Sequence, residues 1–364
     1  MSLRVPRVGR RQSIAGLVTA AVVVGCIASS GGVAVAKSQA AHVAVGKVYR
    51  VYLSNNYVGN DWRVQMEKEA EVAATLAPFK GHVKLTIANA DNTVTAQIES
   101  LQAIIATKPD AILIDAASPS ALNPTISRAC AEGIVVVNFD QPLTAPCAYK
   151  VYSNLPVGFG LAGTWLASTL HGKGQVFEDT ALAGAPLAQV VLNTWSKTLK
   201  QNPGIAVDGT FQGQYAIGPE QQGVTSLLAA HPDVSGILDQ GLCTGALQAF
   251  AASNKPLVPI TCFSSNGLML SLAKNPAAKA FVITNPAYLS VLAMQAAVKV
   301  LSGKHVPQTQ ELVPPCFYKG GVLPAGAHCQ KIQIGVNALP TLSPALTLPS
   351  SPSFMTIPVK RVVP

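Results

Sequence analysis

The stretch PVGFGLAGT, Pro156 to Thr164, holds Gly158, Gly160 and Gly163 in a G-x-G-x-x-G array. Such an array can wrap backbone around a pyrophosphate, and Asp179, 16 residues past Gly163, stands near where an acid would meet a ribose hydroxyl. A second stretch, Gly241-Leu242-Cys243-Thr244-Gly245, has the form of a nucleophile elbow with a thiol at its tip. Context opposes both. The dinucleotide fingerprint needs a buried strand running straight into its first glycine. Here Asn154-Leu155-Pro156 intervenes, and proline is excluded from central strands. The spacing predicts instead a helix whose small residues let it pack closely on a sheet. The elbow needs an acid and a histidine downstream, yet Glu311 is the single acid past Cys243, and a disulfide half is the better reading of that cysteine. Metal chemistry is equally unsupported. His42, His82, His171, His231, His305 and His328 are scattered, with no H-x-x-x-H spacing, and a zinc site at Cys316, His328 and Cys329 lacks a further ligand. Glu67, Glu69 and Glu71 read as a solvated helix face. No enzymatic activity, cofactor or metal is expected.

What remains is a set of polar residues after apolar runs. Ser54-Asn55-Asn56-Tyr57-Val58-Gly59-Asn60-Asp61-Trp62-Arg63 offers amides, an indole face and a guanidinium fork. Asp91-Asn92, Asp115, Asp140-Gln141, Gln240, Ser264-Ser265-Asn266 and Asn285 stand in comparable places. Carboxylates, amides and a stacking ring suit a polyhydroxylated ligand, because hydroxyls need paired donors and acceptors and sugar C–H faces stack on aromatics. Ser, Asn and Asp equally serve as helix caps and turn residues. The candidate ligand-binding residues are Asn56, Trp62, Arg63, Asp91, Asp115, Asp140, Gln141, Gln240, Ser264 and Asn285.

The elements that must position them are legible in the hydrophobic pattern. Val48–Leu53, Val83–Ile87, Ala111–Ile114 and Ile134–Phe139 read as strands. Arg63–Leu76, Thr93–Ala106 and Pro119–Ala131 between them read as helices. The resulting β-α alternation implies an α/β fold with a parallel sheet and helices on both faces. After Asn154 the alternation restarts, through strands at Gln175–Phe177, Ile205–Gly209, Gly236–Leu238, Val258–Thr261 and Ala280–Ile283. Lys108-Pro109-Asp110-Ala111-Ile112-Leu113-Ile114-Asp115 is echoed by His231-Pro232-Asp233-Val234-Ser235-Gly236-Ile237-Leu238-Asp239, so two similar doubly wound lobes are expected. Ligands of such sheets bind outside the carboxyl ends of the strands, which places a cleft between the lobes. Past Pro307 the chain is Pro-rich; a Cys316–Cys329 loop, a last strand near Ile332–Val336 and an irregular end over 341–364 are expected.

The 364 residues carry a net charge of +9, with 26 Lys and Arg against 17 Asp and Glu. Four of the arginines, Arg4, Arg7, Arg10 and Arg11, precede an apolar run from Ile14 to Ala28, the pattern of an export signal over 1–36. Without that signal 22 basic residues face 17 acidic ones, and no Lys/Arg block tracks a phosphate backbone, so no nucleic acid partner is expected. Two cleavage points compete. Val23-Val24-Gly25-Cys26 resembles a lipoprotein box that would lipidate Cys26 after cleavage at 25, whereas Ala34-Val35-Ala36 would release the chain after 36. The other cysteines, Cys130, Cys147, Cys243, Cys262, Cys316 and Cys329, suit an oxidising compartment. Six cysteines allow 15 pairings, and sequence order favours the three local ones.

Taken together these stretches resemble the type I periplasmic solute-binding proteins of ABC importers, in the ribose- and galactofuranose-binding branch. The resemblance runs from Val48 to Lys304. It rests on Leu53-Ser54-Asn55-Asn56, Trp62-Arg63, Ala88-Asn89-Ala90-Asp91-Asn92, Lys108 to Ile114, Gly133 to Val137 ending in Asp140, Ser153-Asn154, and His231-Pro232-Asp233. It implies two lobes, 47–154 with 285–308 and 155–284 with 309–340, joined by three crossings near Asn154, Thr284 and Gln308. A hinge would close on one small ligand, a carbohydrate for an ABC permease, in a monomer whose membrane contact is limited to a lipid anchor. Presentation of the ligand to a membrane sensor is the alternative. By the same resemblance Trp62 would stack on the ligand, Arg63 would donate to it, Asp140 would be its carboxylate and Asp115 would lie on the rim. The chain departs from the family at Gln141 and Ser264, where many members carry Arg and Asp, and at Leu187-Ala188-Gln189-Val190-Val191, where an Arg is common.

Overall fold

The structure, a computed structural model, describes residues 46–362. The export signal, both cleavage points and Cys26 lie outside the described residues. Two sheets organise the described chain. The first has six strands: β1 (Tyr49–Asn55), β2 (Val83–Asn89), β3 (Ala111–Asp115), β4 (Val135–Phe139), β5 (Tyr149–Ser153) and β11 (Thr309–Leu312), in the order β11-β5-β4-β3-β1-β2. All pair in parallel. The second has seven: β6 (Gly174–Asp179), β7 (Ile205–Phe211), β8 (Gly236–Leu238), β9 (Ile260–Phe263), β10 (Ala280–Ile283), β12 (Cys316–Lys319) and β13 (Gln330–Lys331), in the order β13-β12-β10-β9-β8-β6-β7.

Central strands are buried on both faces and therefore read as continuous apolar runs; every residue of β3 is buried. Helices α1 (Asp61–Ala74) and α9 (Leu289–Leu301) cover one face of the first sheet, where Met66, Ala70, Leu289 and Met294 join Val51 and Val137 in one core. Helices α2 (Val94–Ala106) and α3 (Asn123–Ala131) cover the other, through Leu101, Ile105 and Ile126. In the second lobe α4 (Leu155–Thr169) and α5 (Pro186–Gln201) pack on one face, and α6 (Ile217–Ala230), α7 (Thr244–Ala252) and α8 (Asn266–Lys274) on the other. Helix α8 has no counterpart in the sequence reading, although its Ser265 cap and the spacing of Leu268, Met269 and Leu272 would signal it.

The chain passes between the sheets where β5 runs into α4 at Asn154 and where β10 runs into α9 past Thr284. The third crossing does not fall at Gln308. Thr309–Leu312 pairs with β5, so the chain changes lobes over 313–315. Having left β11 at the carboxyl ends of its neighbours, it enters the second sheet from the cleft side, and β12 must run antiparallel to β10. That sheet is therefore mixed rather than wholly parallel. The last strand is Gln330–Lys331; Ile332–Val336 contributes only a bridge from Ile334 to Ala338.

The segment past 338 is irregular yet docked. Asn266 donates to the carbonyls of Leu339, Leu342 and Ser343, and the Gly267 N–H donates to Pro344 O at 2.9 Å. Gln65 on α1 then exchanges two hydrogen bonds with the Thr347 backbone, and Leu346, Ile357 and Val362 enter the core of the first lobe. This C-terminal strap is a fourth connection between the lobes. Glu69 accepts from Gln65, the residue that holds the strap, and the expected solvated face of three glutamates is half wrong: Glu71 is exposed and Glu69 is fully buried. Disulfides join Cys130 to Cys147, Cys243 to Cys262 and Cys316 to Cys329. Among the described residues no helix is long and apolar enough to cross a membrane.

Candidate functional site

The G-x-G-x-x-G array lies inside α4, where no phosphate could reach its backbone. A Cβ on Gly163 would stand 3.2 Å from Trp195 Cδ1 of α5, and one on Gly158 would stand 3.0 Å from Pro314 in the third crossing. The same Cβ on Gly158 would stand 3.1 Å from Ile283 of β10, so the glycines let the helix approach the sheet, as expected, and α5 as well. The sulfur of Cys243, tied to Cys262, is no thiolate. The approach of Cys243, Glu220 and Asp239 to within 4.8 Å therefore offers a metal two carboxylates and little else.

The strand ends converge on a cavity of about 810 Å³ between the lobes. Helix α1 starts at the cavity because the Asn60 side chain accepts the Arg63 N–H at 2.9 Å and caps it. Its first turn then delivers Trp62 and Arg63. The indole N–H of Trp62 donates to Asn285 O at 2.7 Å, tying the helix to the second crossing. Arg63 is only 3% exposed. It donates to Asn55 Oδ1 at 2.6 Å and to Asp115, lies 3.6 Å from Asp140 Oδ2, and stacks under Tyr57 at 4.7 Å from the ring centroid. Burial opposes the charge of Arg63, but Asp115 and Asp140 outweigh it and hold the guanidinium protonated. Burial pushes the Asp115 carboxyl well above the usual range, with Arg63 pulling against it.

Asp140 follows β4 with φ +58°, a left-handed conformation that Asp tolerates better than most residues. Its Oδ1 accepts from Asn285 at 2.6 Å and its Oδ2 from Gln141 at 3.2 Å. Gln141 Oε1 in turn accepts the N–H of Leu187, in the first turn of α5, at 3.1 Å. That bond joins the two lobes directly. The second lobe brings Tyr215, Leu242, Phe263 and the 182–187 loop to the cavity. Beneath them lie three buried carboxylates. Asp179 accepts from the N–H groups of Ala181 and Gly213, Asp239 from Gly241, and Glu220 from Gly245 and Ala246. Burial, reinforced by mutual repulsion, raises all three, Glu220 to about 7. Burial likewise keeps the Tyr215 phenol neutral.

Of the ten candidate residues, the cavity is lined by Asn56, Trp62, Arg63, Asp140, Gln141, Ser264 and Asn285. Three are placed otherwise. Asp91 is exposed and accepts from the N–H and hydroxyl of Thr93, the residue that caps α2, which is the turn role its type allows. Asp115 is buried below Arg63 rather than on the rim, and Gln240, fully buried, donates to Asp179 O. The sequence reading missed Tyr57, Leu187, Tyr215 and Phe263. Phe263 had a signal, since it ends β9 just before Ser264; Tyr215 sits in a loop without one.

A family model described as a periplasmic binding protein domain matches residues 51–305. The chain belongs to this family. It is an extracytoplasmic solute-binding protein, with the two-lobed α/β fold of that group. A Bacillus subtilis protein named ribose import binding protein is 26% identical over 269 residues, covering 72% of this chain and 85% of its own. An ABC transporter solute binding protein from Thermobispora bispora superposes with a TM-score of 0.67 at 28% identity, over 73% of this chain and 84% of that one. The arabinose-binding component of a Shewanella ABC transporter, also at 0.67 but 17% identical over 74% and 91% of the chains, shares the fold. The matched residues end at 305, so the strap lies beyond them.

Proposed function

We propose that the cleft captures a neutral, polyhydroxylated solute of the sugar class, closes on it by hinge motion, and presents it to an ABC permease. One observation carries this reading. Asn56 Oδ1, Asn285 Oδ1 and Tyr215 Oη are buried at the cavity and have no protein partner among the described residues. An unpaired buried polar atom costs about 1–3 kcal/mol, which ligand hydroxyls placed there would recover. The charge balance points the same way. One guanidinium stands between two buried carboxylates, which disfavours an anionic ligand and favours hydroxyl donors onto Asp140.

In this reading Trp62 stacks on the ring, Asp140, Asn56 and Asn285 bind hydroxyls, and Arg63 is held ready by Asp115. Gln141 latches the closed form. Closure shifts the population towards the form a permease recognises. The first 36 residues direct export of a monomer, with Cys26 lipidated or removed. A thermal-shift screen with pentoses, hexoses, polyols, nucleosides and small acids tests the ligand class. A solute at 100 times its Kd adds about 2.7 kcal/mol of stability. Stabilisation by acids alone, or by none of these solutes, would reject it.

A further inference from the structure

The cavity is divided by lobe. Every carboxylate, amide and guanidinium on its wall comes from the first lobe or the second crossing: Asn56, Asn60, Asp61, Arg63, Asn92, Asp140, Gln141 and Asn285. The second lobe supplies none. Its polar lining is the Lys274 ammonium and a few hydroxyls, of which that of Tyr215 has no partner among the described residues while those of the serines are engaged within the protein. Ser264 bonds Thr284, Ser265 caps α8 at the Leu268 N–H, and Ser271 donates to Gly267 O. The rest of that side is Leu182, Leu187, Ile217, Leu242, Phe263 and Leu270, completed by Pro344 and Ala345 of the strap. At about 810 Å³ the space lies in the upper part of the range of roughly 300–1,000 Å³ typical of drug-sized ligands, several times what one monosaccharide ring fills.

We infer that the site takes a glycoside: a neutral sugar ring held by the first lobe, carrying an aryl or alkyl group that the second lobe and the C-terminal strap enclose. This rests on the sugar reading above and narrows it. A free sugar would leave the apolar wall in contact with water in the closed form, whereas an apolar substituent removes that surface from water. The strap gives the reason for its own placement. Asn266 and Gly267 fasten its 339–346 part to α8, beside Leu270, and Gln65 fastens Thr347 to α1, so Pro344 and Ala345 close the apolar end at the point where the lobes meet.

Calorimetry on the full chain with D-ribose, L-arabinose, D-galactose and D-fucose, and with the p-nitrophenyl glycoside of each, tests the inference. At least one glycoside should bind ten-fold or more tighter than its parent sugar, which is about 1.4 kcal/mol. Leu270→Gln and, separately, Ala345→Gln should each reduce that ratio at least three-fold, with melting curves confirming that both variants fold. Parent sugars binding as tightly as their glycosides, or ratios untouched by both substitutions, would overturn the inference while leaving the sugar reading in place. Binding of p-nitrophenol alone as tightly as any glycoside would overturn both.

Discussion

Replacing Arg63 with Ala should be the most damaging single change in the cleft. The guanidinium is the one ion-pair partner of Asp115 and Asp140 among the described residues, and all three side chains are at least nine-tenths buried. Removing one partner of a buried pair costs about 3–5 kcal/mol, because the remaining charge has lost its compensation without regaining water. Here two carboxylates are left. Loss of the stack under Tyr57 adds about 0.5–1 kcal/mol. About 4 kcal/mol is therefore expected near neutral pH, a large part of a total stability of roughly 5–15 kcal/mol. The loss should shrink in acid. Without Arg63, only the Gln141 backbone N–H opposes the burial that raises Asp115, so the folded variant binds a proton that the unfolded chain binds only at lower pH. A carboxyl raised in the folded state stabilises fully below its unfolded pKa and loses that contribution as pH rises through its folded value. Urea titrations followed by far-UV circular dichroism, at pH 7.5 and pH 5, should show the gap between parent and variant narrowing on acidification. Arg63→Lys, which keeps the charge but not the fork, should fall between them. A gap under about 1 kcal/mol at pH 7.5, or one that widens at pH 5, would refute the reasoning.

Trp62→Ala should weaken binding of the best sugar from the screen by about 2 kcal/mol, read by calorimetry; unchanged affinity would remove its stacking role. Gln141→Ala breaks the bond to Leu187 and should cost about 1 kcal/mol of affinity while making the ligand-free protein more open by small-angle scattering. Because burial lifts Glu220 to about 7, its contribution to stability is complete below about pH 4.5 and declines as pH rises through 7. Melting temperatures between pH 5 and pH 8 should fall with pH, and Glu220→Gln should flatten that slope. An identical slope in both proteins would count against a proton held among Glu220, Asp239 and Asp179.

Much was legible without coordinates. Apolar runs of the right length announce parallel strands, since a strand buried on both faces has no polar side to alternate with. The strands Gly236–Leu238 and Ala280–Ile283 could be read to the residue. Loops at the carboxyl ends of strands then identify the side on which a ligand binds. Seven of the ten residues chosen on that ground line the cavity. The same rule could not distinguish a residue that faces the cavity from one that supports it. Asp91, Asp115 and Gln240 sit at strand ends like the others, but one closes a turn onto Thr93, one pairs beneath Arg63 and one bonds a backbone carbonyl.

Sequence alone determined the two α/β lobes, the polar character of the first lobe's strand ends and the restart of the alternation after Asn154, because each depends on local periodicity and on residue types close together in the chain. Tertiary structure decided the rest. Thr309–Leu312 is too polar and short to announce itself as a strand, and only the open edge of β5 makes it one. The strap has no periodicity; its place is set by Asn266 and Gln65, whose partners lie 73 to 77 and 282 positions away. Tyr215 and Phe263 become walls of the cleft because two lobes meet there. Contacts between residues so distant in sequence are chosen by packing and by unmet hydrogen bonds, neither of which leaves a mark on the neighbouring sequence.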